Sequence, residues 1–163
     1  MAAIPLNKQD INVIHSLDFK SYHNSFDTKD DKEQLLTWSK LAKKGTALST
    51  IATVGDEKVG FAVWERGSKN KAAYIIRLGV LPAYRNQGTG RAILGWVCKD
   101  LREAGKKEVR VVLSQVTCLG PNDPDDVSGF MKKTGWTWID TMPGTFFHYG
   151  KREDGLVFKR DLV

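Results

Sequence analysis

Residues 72–105 constrain the fold of this chain most tightly. A run rich in β-formers, AAYIIRLGVL (72–81), is stopped by Pro82. Next comes YRNQGTGRAIL (84–94), with glycines at 88 and 90 and arginines at 85 and 91. The chain then enters RAILGWVCKDLREAG (91–105). Here Ile93, Leu94, Val97, Leu101 and Ala104 form one apolar stripe at helical spacing, and Gly105 supplies a stop. A second β-prone run, EVRVVLSQV (108–116), follows closely. Strand, helix and strand in such close succession favour a parallel crossover, with the helix laid on one face of a sheet.

The rest of the chain supplies further helices and antiparallel strands. NKQDINVIHSLD (7–18) opens with a capping residue and sets Ile11, Ile14 and Leu17 on one face of a short helix. DDKEQLLTWSKLAKK (30–44) does the same with Leu35, Trp38, Leu41 and Ala42, and Gly45 ends it. ALSTIATV (47–54) and KVGFAVWE (58–65), joined by Gly55-Asp56-Glu57, read as a hairpin. A short helix over roughly 125–134 carries Val127, Phe130 and Met131. WTWIDT (136–141) and GLVFKRDL (155–162) read as strands around a longer, partly aromatic loop. The order α α β β β α β α β β defines a mixed sheet with helices on its faces. There is no repeat or linker, so residues 1–163 are expected to form a single domain.

Composition narrows the function classes. Cys98 and Cys118 lack the spacing of a disulfide framework or zinc site, so no metal is expected. MAAIPLNKQD lacks the basic and apolar regions of a signal peptide, and no apolar run nears the ~20 residues of a membrane helix. A cytoplasmic location without membrane contact is the expectation. The net charge of +6 is uneven: residues 61–120 carry 11 Lys/Arg against 4 Asp/Glu, while 1–60 balance 8 against 8. Such an excess fits nucleic acid, a membrane surface or a small anion, and equally an ordinary solvated surface.

The glycine pair admits two readings: a tight turn into a helix, or a seat for an anion. The first N–H groups of a helix have no internal partner and carry partial positive charge. Gly88 and Gly90 let an anion approach that backbone, Thr89 adds a hydroxyl, and Arg85 and Arg91 add charge, which makes a phosphate or diphosphate seat. A P-loop needs Gly-Lys-Ser/Thr, but Arg91 and Ala92 follow Gly90. The dinucleotide pattern G-x-G-x-x-G needs a small residue where Ile93 stands.

The pattern present is R-x-x-G-x-G (Arg85, Gly88, Gly90), preceded by Leu78-x-Val80-x-Pro82 and followed by an apolar helix. In this the sequence resembles the GNAT superfamily of N-acetyltransferases. The motif likeness covers roughly 72–105, and the element order extends it over most of the chain. The resemblance implies an α/β (mixed α+β) fold with a central mixed, mostly antiparallel sheet of six to seven strands and helices on both faces. It implies acetyl-CoA as co-substrate and a homodimer as a family-level expectation. Cofactor contacts would come from Leu78, Gly79 and Val80 along the pantetheine arm, from Arg85 and Asn86, and from the amides of Gln87, Gly88, Thr89, Gly90 and Arg91 at the diphosphate. The Val80 N–H would polarise the thioester carbonyl, and the basic middle third would answer the phosphates of CoA.

The catalytic side departs from the family pattern. Many relatives carry an acidic Tyr on the short helix before the last strands; the corresponding position holds Met131, and Pro124 stands where an Asn is usual. Asn122, two residues earlier, is a substitute cofactor contact or a turn residue. No Asp or Glu lies in AAYIIRLGV, so a base must come from elsewhere. Candidates are Glu65, a water held by Ser114 and Gln115, and His148, with Tyr149 as proton donor to the leaving thiolate. His15, His23 and the cysteines read as packing or surface residues. The expected activity is acetyl transfer to a primary amine of a protein lysine or N-terminus, a small molecule or an aminoacyl-tRNA, with nucleic acid otherwise not expected as a partner. The alternative is a GNAT-fold binding module that has lost catalysis and docks on a partner protein.

Overall fold

KVGFAVWE is almost continuously apolar, so its strand can be covered on both faces. It becomes β3 (Glu57–Glu65), in which Phe61, Ala62, Val63 and Trp64 are all 0% exposed. The structure is a computed structural model that describes residues 1–21, 28–114, 127–148 and 151–162, with the side chains of 19, 28–34, 114, 145–148 and 151–153 outside the description. The other elements are β1 (Ile4–Pro5), α1 (Ile11–Ser21), α2 (Thr28–Lys44), β2 (Ala47–Val54), β4 (Ala73–Val80), α3 (Thr89–Glu103), β5 (Glu108–Ser114), α4 (Ser128–Lys133), β6 (Thr137–His148) and β7 (Lys151–Asp161). They build a seven-stranded sheet in the order β1-β2-β3-β4-β5-β7-β6. Among the described residues one pairing is parallel, β4 with β5, and it is the one the strand–helix–strand run required.

Alternation along β3 divides the core in two. Phe61 and Val63 face α1 and α2, where Ile14, Leu17, Trp38 and Ala42 pack. The Trp38 ring stands edge-on to Phe61, with centroids 6.4 Å apart. Ala62 and Trp64 face α3 and α4, meeting Ile93, Leu94, Val97, Leu101 and Met131. Each fully buried large apolar side chain contributes about 1.5–3 kcal/mol. The helices on both faces and the mostly antiparallel sheet match the fold class read from the sequence.

Asp100, on α3, fastens this layer to the sheet. It accepts hydrogen bonds from Trp64 Nε1 at 2.9 Å and Arg66 Nε at 3.0 Å. Burial pushes its carboxyl up, but the bonds from Arg66 and Trp64 outweigh that and hold it below the usual carboxylate range. A lowered carboxyl adds stability above its unfolded-state pKa and loses it as pH falls through the folded value. Asp100→Ala leaves the Trp64 indole N–H unpaired. It should cost about 2 kcal/mol, lower Tm by about 4–8 °C near neutral pH, and show a smaller deficit in acid; a Tm unchanged at both pH values would contradict this role.

Several boundaries differ from the sequence reading. The first helix starts at Ile11, after a 3-10 turn at Leu6–Lys8, because Asp10 rather than Asn7 caps it: Asp10 Oδ1 accepts the Asn12 N–H at 3.0 Å. Residues 142–148 and 151–154, read as part of a loop, are strand. Irregular pairing between Met142 and Phe146 absorbs Pro143 and Gly144, and the Gly144 N–H donates to Asp154 Oδ1 at 3.0 Å. The two-residue β1 was too short to carry a pattern.

Candidate active site at the parting of β4 and β5

The site begins with a fault in β4. Val63 of β3 pairs with Arg77 and Trp64 pairs with Ile75, so Ile76 is an extra residue. Before it, Ala73 and Ile75 face α3; after it, Leu78 and Val80 do, and Arg77 and Gly79 turn toward α1. The β4–β5 ladder holds only from Ala73↔Val109 to Ile75↔Val111. Beyond that register the two strands share no described pairing, and the ends of both point toward the glycine loop. Leu81 N–H bonds back to Val59 of β3 at 2.8 Å. Successive residues of a strand alternate direction, so the Val80 N–H is aimed away from β3, into the opening.

The loop then delivers the start of α3 to the same place. Gly88 precedes the helix at φ 85°, in the left-handed region, and cannot cap it with a side chain. Asn86 also has positive φ, at 60°. The first described intrahelical bond runs from Ala92 N–H to Gly88 O at 2.9 Å. Among the described residues nothing bonds the amides of Thr89, Gly90 or Arg91, which is the local chemistry of an anion seat. Gly90 has a second reason to be glycine: a Cβ there would lie 3.3 Å from the Phe130 ring of α4 and 3.6 Å from Val80 Cγ2.

The side chains assigned from sequence fall into three groups. Gln87, Gly88, Thr89, Gly90, Arg91 and the stretch Leu78, Gly79, Val80 gather around the loop and the opening. Arg85 belongs to the second group, because it turns inward. Its Nε donates to Val80 O at 3.1 Å and its Nη2 to Ser21 O at the end of α1, so it ties α1 to β4 instead of flanking the loop as a free charge. Glu65 is also displaced. It lies at the opposite end of β3, paired with Tyr74, about 17 Å from Val80 along the strand, and it accepts from Thr46 Oγ1 at 2.8 Å. In the third group, Asn122, Tyr149, Gln115, His23 and Cys118 lie outside the described residues, as do the side chains of Ser114 and His148. The backbone of His148 ends β6, on a hairpin that runs past the last β5–β7 pair, Ser114↔Gly155, toward the end where β4 and β5 part.

Met131, at the usual Tyr position, is 6% exposed and packs in the core, so it brings no acid. Burial raises the Cys98 thiol, with Arg160 and Arg102 pulling the other way, as expected of a packed, unreactive cysteine. The charge excess is corrected as well. Of the cations in 61–120 only Arg85 and Arg91 adjoin the loop; Lys69, Lys71, Arg102, Lys106 and Lys107 cluster at the far end of α3. A concavity of about 470 Å³ lies near the loop, lined by Met1, Thr53, Val54, Gln87, Gly88 and Thr89, on the β2 side and away from the parting strands.

One feature escaped the sequence reading. Asp18 of α1 is 0% exposed and accepts from Arg77 Nε at 2.7 Å, while its second oxygen is buried without a partner. The available signal was Arg77 itself, a charge inside an apolar strand next to Leu78. Gly79 completes the close fit: a Cβ on it would lie 2.7 Å from Phe61 and 3.0 Å from Ser21 Oγ. Among the described residues no three His, Cys, Asp or Glu side chains gather as for a metal, and no helix is long and apolar enough to cross a membrane.

Residues 11–120 match the model of the acetyltransferase (GNAT) family, and the chain belongs to that family. No curated protein matches the sequence. Among solved structures, the ribosomal-protein-S18-alanine N-acetyltransferase of Escherichia coli superposes with a TM-score of 0.70 at 15% identity, covering 99% of this chain and 93% of that one. Arabidopsis thaliana NAA60, solved with a bisubstrate analogue, gives 0.66 at 16% identity over 98% and 97%. An aminoglycoside 6'-N-acetyltransferase, solved with coenzyme A, gives 0.59 at 17% over 86% and 96%. At these identities the likeness is one of fold.

Proposed function

We propose that the chain transfers the acetyl group of acetyl-CoA to a primary amine. The observation that carries this reading is the coincidence of two features: β4 and β5 part after Ile75 and Val111, and α3 begins at the same end of the sheet with the amides of Thr89, Gly90 and Arg91 unbonded among the described residues. The amides fit a diphosphate by charge and geometry. The outer edge of β4 fits an extended pantetheine arm, which would add to it as a strand does. Acetyl-CoA supplies the activated acyl group. The protein supplies position and polarity. The Val80 N–H, directed into the opening, is placed to stabilise the oxyanion that forms when an amine attacks the thioester carbonyl. Attack forms the C–N bond, collapse breaks the C–S bond, and the proton the amine nitrogen gives up balances the one that the departing CoA thiolate takes up. His148 and the neighbouring Tyr149 are the proposed proton carriers, because β6, which ends at His148, runs toward this end of the sheet, whereas Glu65 lies at the other. Arg85 acts at one remove, by tying α1 to the Val80 carbonyl.

Release of free thiol from acetyl-CoA, measured against a panel of protein N-termini, lysine peptides and small amines, tests the reading. At least one acceptor class should raise thiol release about tenfold or more above hydrolysis. If acetyl-CoA raises the Tm and no acceptor yields thiol, the chain is a GNAT-fold binding module instead.

A further inference from the structure

The basic excess sits where the acetyl-transfer site does not. Helices α2 and α3 lie on opposite faces of the sheet and end at the same end of it, where β3 stops and β4 and β5 start. Lys43 and Lys44 close α2, Lys69 and Lys71 lie in the β3–β4 loop, and Lys106 and Lys107 follow α3. The loop is held in place: Lys106 Nζ donates to Ser68 O at 2.7 Å and to Lys71 O at 2.9 Å, which draws it against the end of α3. Glu65 joins the α2 side, accepting from Thr46 and lying 3.5 Å from Lys44 Nζ. The cations thus form one surface that wraps the sheet end from face to face.

Local carboxylates neutralise it only in part. Asp100 is committed to Arg66 and Trp64, Glu65 lies 3.5 Å from Lys44, Glu103 4.0 Å from Lys99, Glu108 2.9 Å from Arg110, and Asp161 3.8 Å from Lys159. Lys43, Lys69, Lys71 and Lys107 are exposed and make no described ion pair. The helix macrodipole accounts for cations in the last turns of α2 and α3. It does not account for Lys69, Lys71 and Lys107, which lie outside any helix. Nor does the diphosphate seat, because the 15 residues of α3 put it about 22 Å away.

We infer that this surface docks the phosphate backbone of a double-stranded nucleic acid. The charges are mostly lysines, point charges suited to phosphates rather than to base edges. They spread over two faces of the sheet, too far for one small anion to engage. Protein partners draw affinity from buried aromatic and apolar anchors. The exposed large apolar side chains described, Met1, Leu36, Val54, Trp138, Ile139 and Met142, all lie outside these three segments. The inference stands apart from acetyl transfer, since it uses no residue of that site.

Fluorescence anisotropy with a labelled 20-base-pair duplex, as RNA and as DNA of the same sequence, tests it on the whole protein. Wild type should bind at low salt with an affinity that falls steeply as salt rises. Lys69→Glu/Lys71→Glu/Lys107→Glu should bind about tenfold or more weakly and flatten the log–log salt slope by about 3, as expected for three lost phosphate contacts. Its Tm should stay within a few degrees of wild type; if it does not fold, Lys69→Gln/Lys71→Gln/Lys107→Gln should show the same direction of change. Preference for one duplex identifies the nucleic acid. Failure to bind either duplex at low salt, unchanged binding by the folded variant, or capture of poly-glutamate with neither duplex bound would each overturn the inference.

Discussion

Thr89→Asp is expected to abolish acetyl-CoA binding while leaving the protein as stable as before or slightly more so. Thr89 is the first residue of α3, and the helix has no acidic residue in its first turn. A carboxylate there complements the helix dipole and is worth about 0.3–1 kcal/mol, or about 1–4 °C in Tm for a chain of this size. The same carboxylate occupies the anion seat. A like charge about 4 Å from a phosphate costs about 4 kcal/mol at the effective dielectric of a protein surface, so a loss of about 100-fold or more in affinity is a modest expectation. Thr89→Asn keeps the size and the amide without the charge, and should stay within about threefold of wild type. Calorimetric titration and thermal unfolding read the two effects separately. Opposite signs for binding and stability cannot come from misfolding. Retained affinity in Thr89→Asp would place the diphosphate elsewhere.

The second large effect is on stability. Arg77→Met leaves the Asp18 carboxylate, 0% exposed, without its 2.7 Å partner. An uncompensated buried charge costs about 3–5 kcal/mol, so Tm should fall by about 10 °C. Replacing both members should restore much of the loss, because well-packed apolar groups can stand in for a buried pair. The expected order of Tm is therefore wild type, then Asp18→Leu/Arg77→Met, then Arg77→Met. Equal Tm values for the single and double variants would show that the pair does not hold α1 on β4. The stakes go beyond stability. Arg77 and Arg85 bracket Leu78–Val80, one tied to Asp18 and the other to Ser21, so α1 sets the position of the strand that the proposed reaction uses.

The helix–strand order was legible because punctuation residues stood at the ends of strongly patterned runs. Gly45 and Gly105 both adopt positive φ at helix stops, as their positions in the sequence suggested, and Gly135 does the same after α4. The glycine loop was legible for the same reason, and its failure to match other phosphate loops narrowed its meaning. The β6–β7 hairpin was not legible, since Pro143-Gly144 reads locally as a break and only pairing with β7 shows that the strand absorbs it. The parting of β4 from β5 depends on one extra residue, Ile76, whose role appears only in register with β3. Side-chain direction was the least legible property. A motif arginine beside a phosphate loop suggests a phosphate contact, yet Arg85 finds two backbone carbonyls closer at hand. Charge counted along the chain pointed to the loop, whereas the fold carries most of it to the other end of α3.

The most direct test of the account is a crystal structure of the protein with acetyl-CoA bound. The diphosphate should lie on the amides of Gly88 to Arg91 within hydrogen-bond distance, and the pantetheine arm should run along β4 with the thioester carbonyl facing the Val80 N–H. A diphosphate bound away from the Gly88–Arg91 amides, or a pantetheine arm that does not enter between β4 and β5, would contradict it.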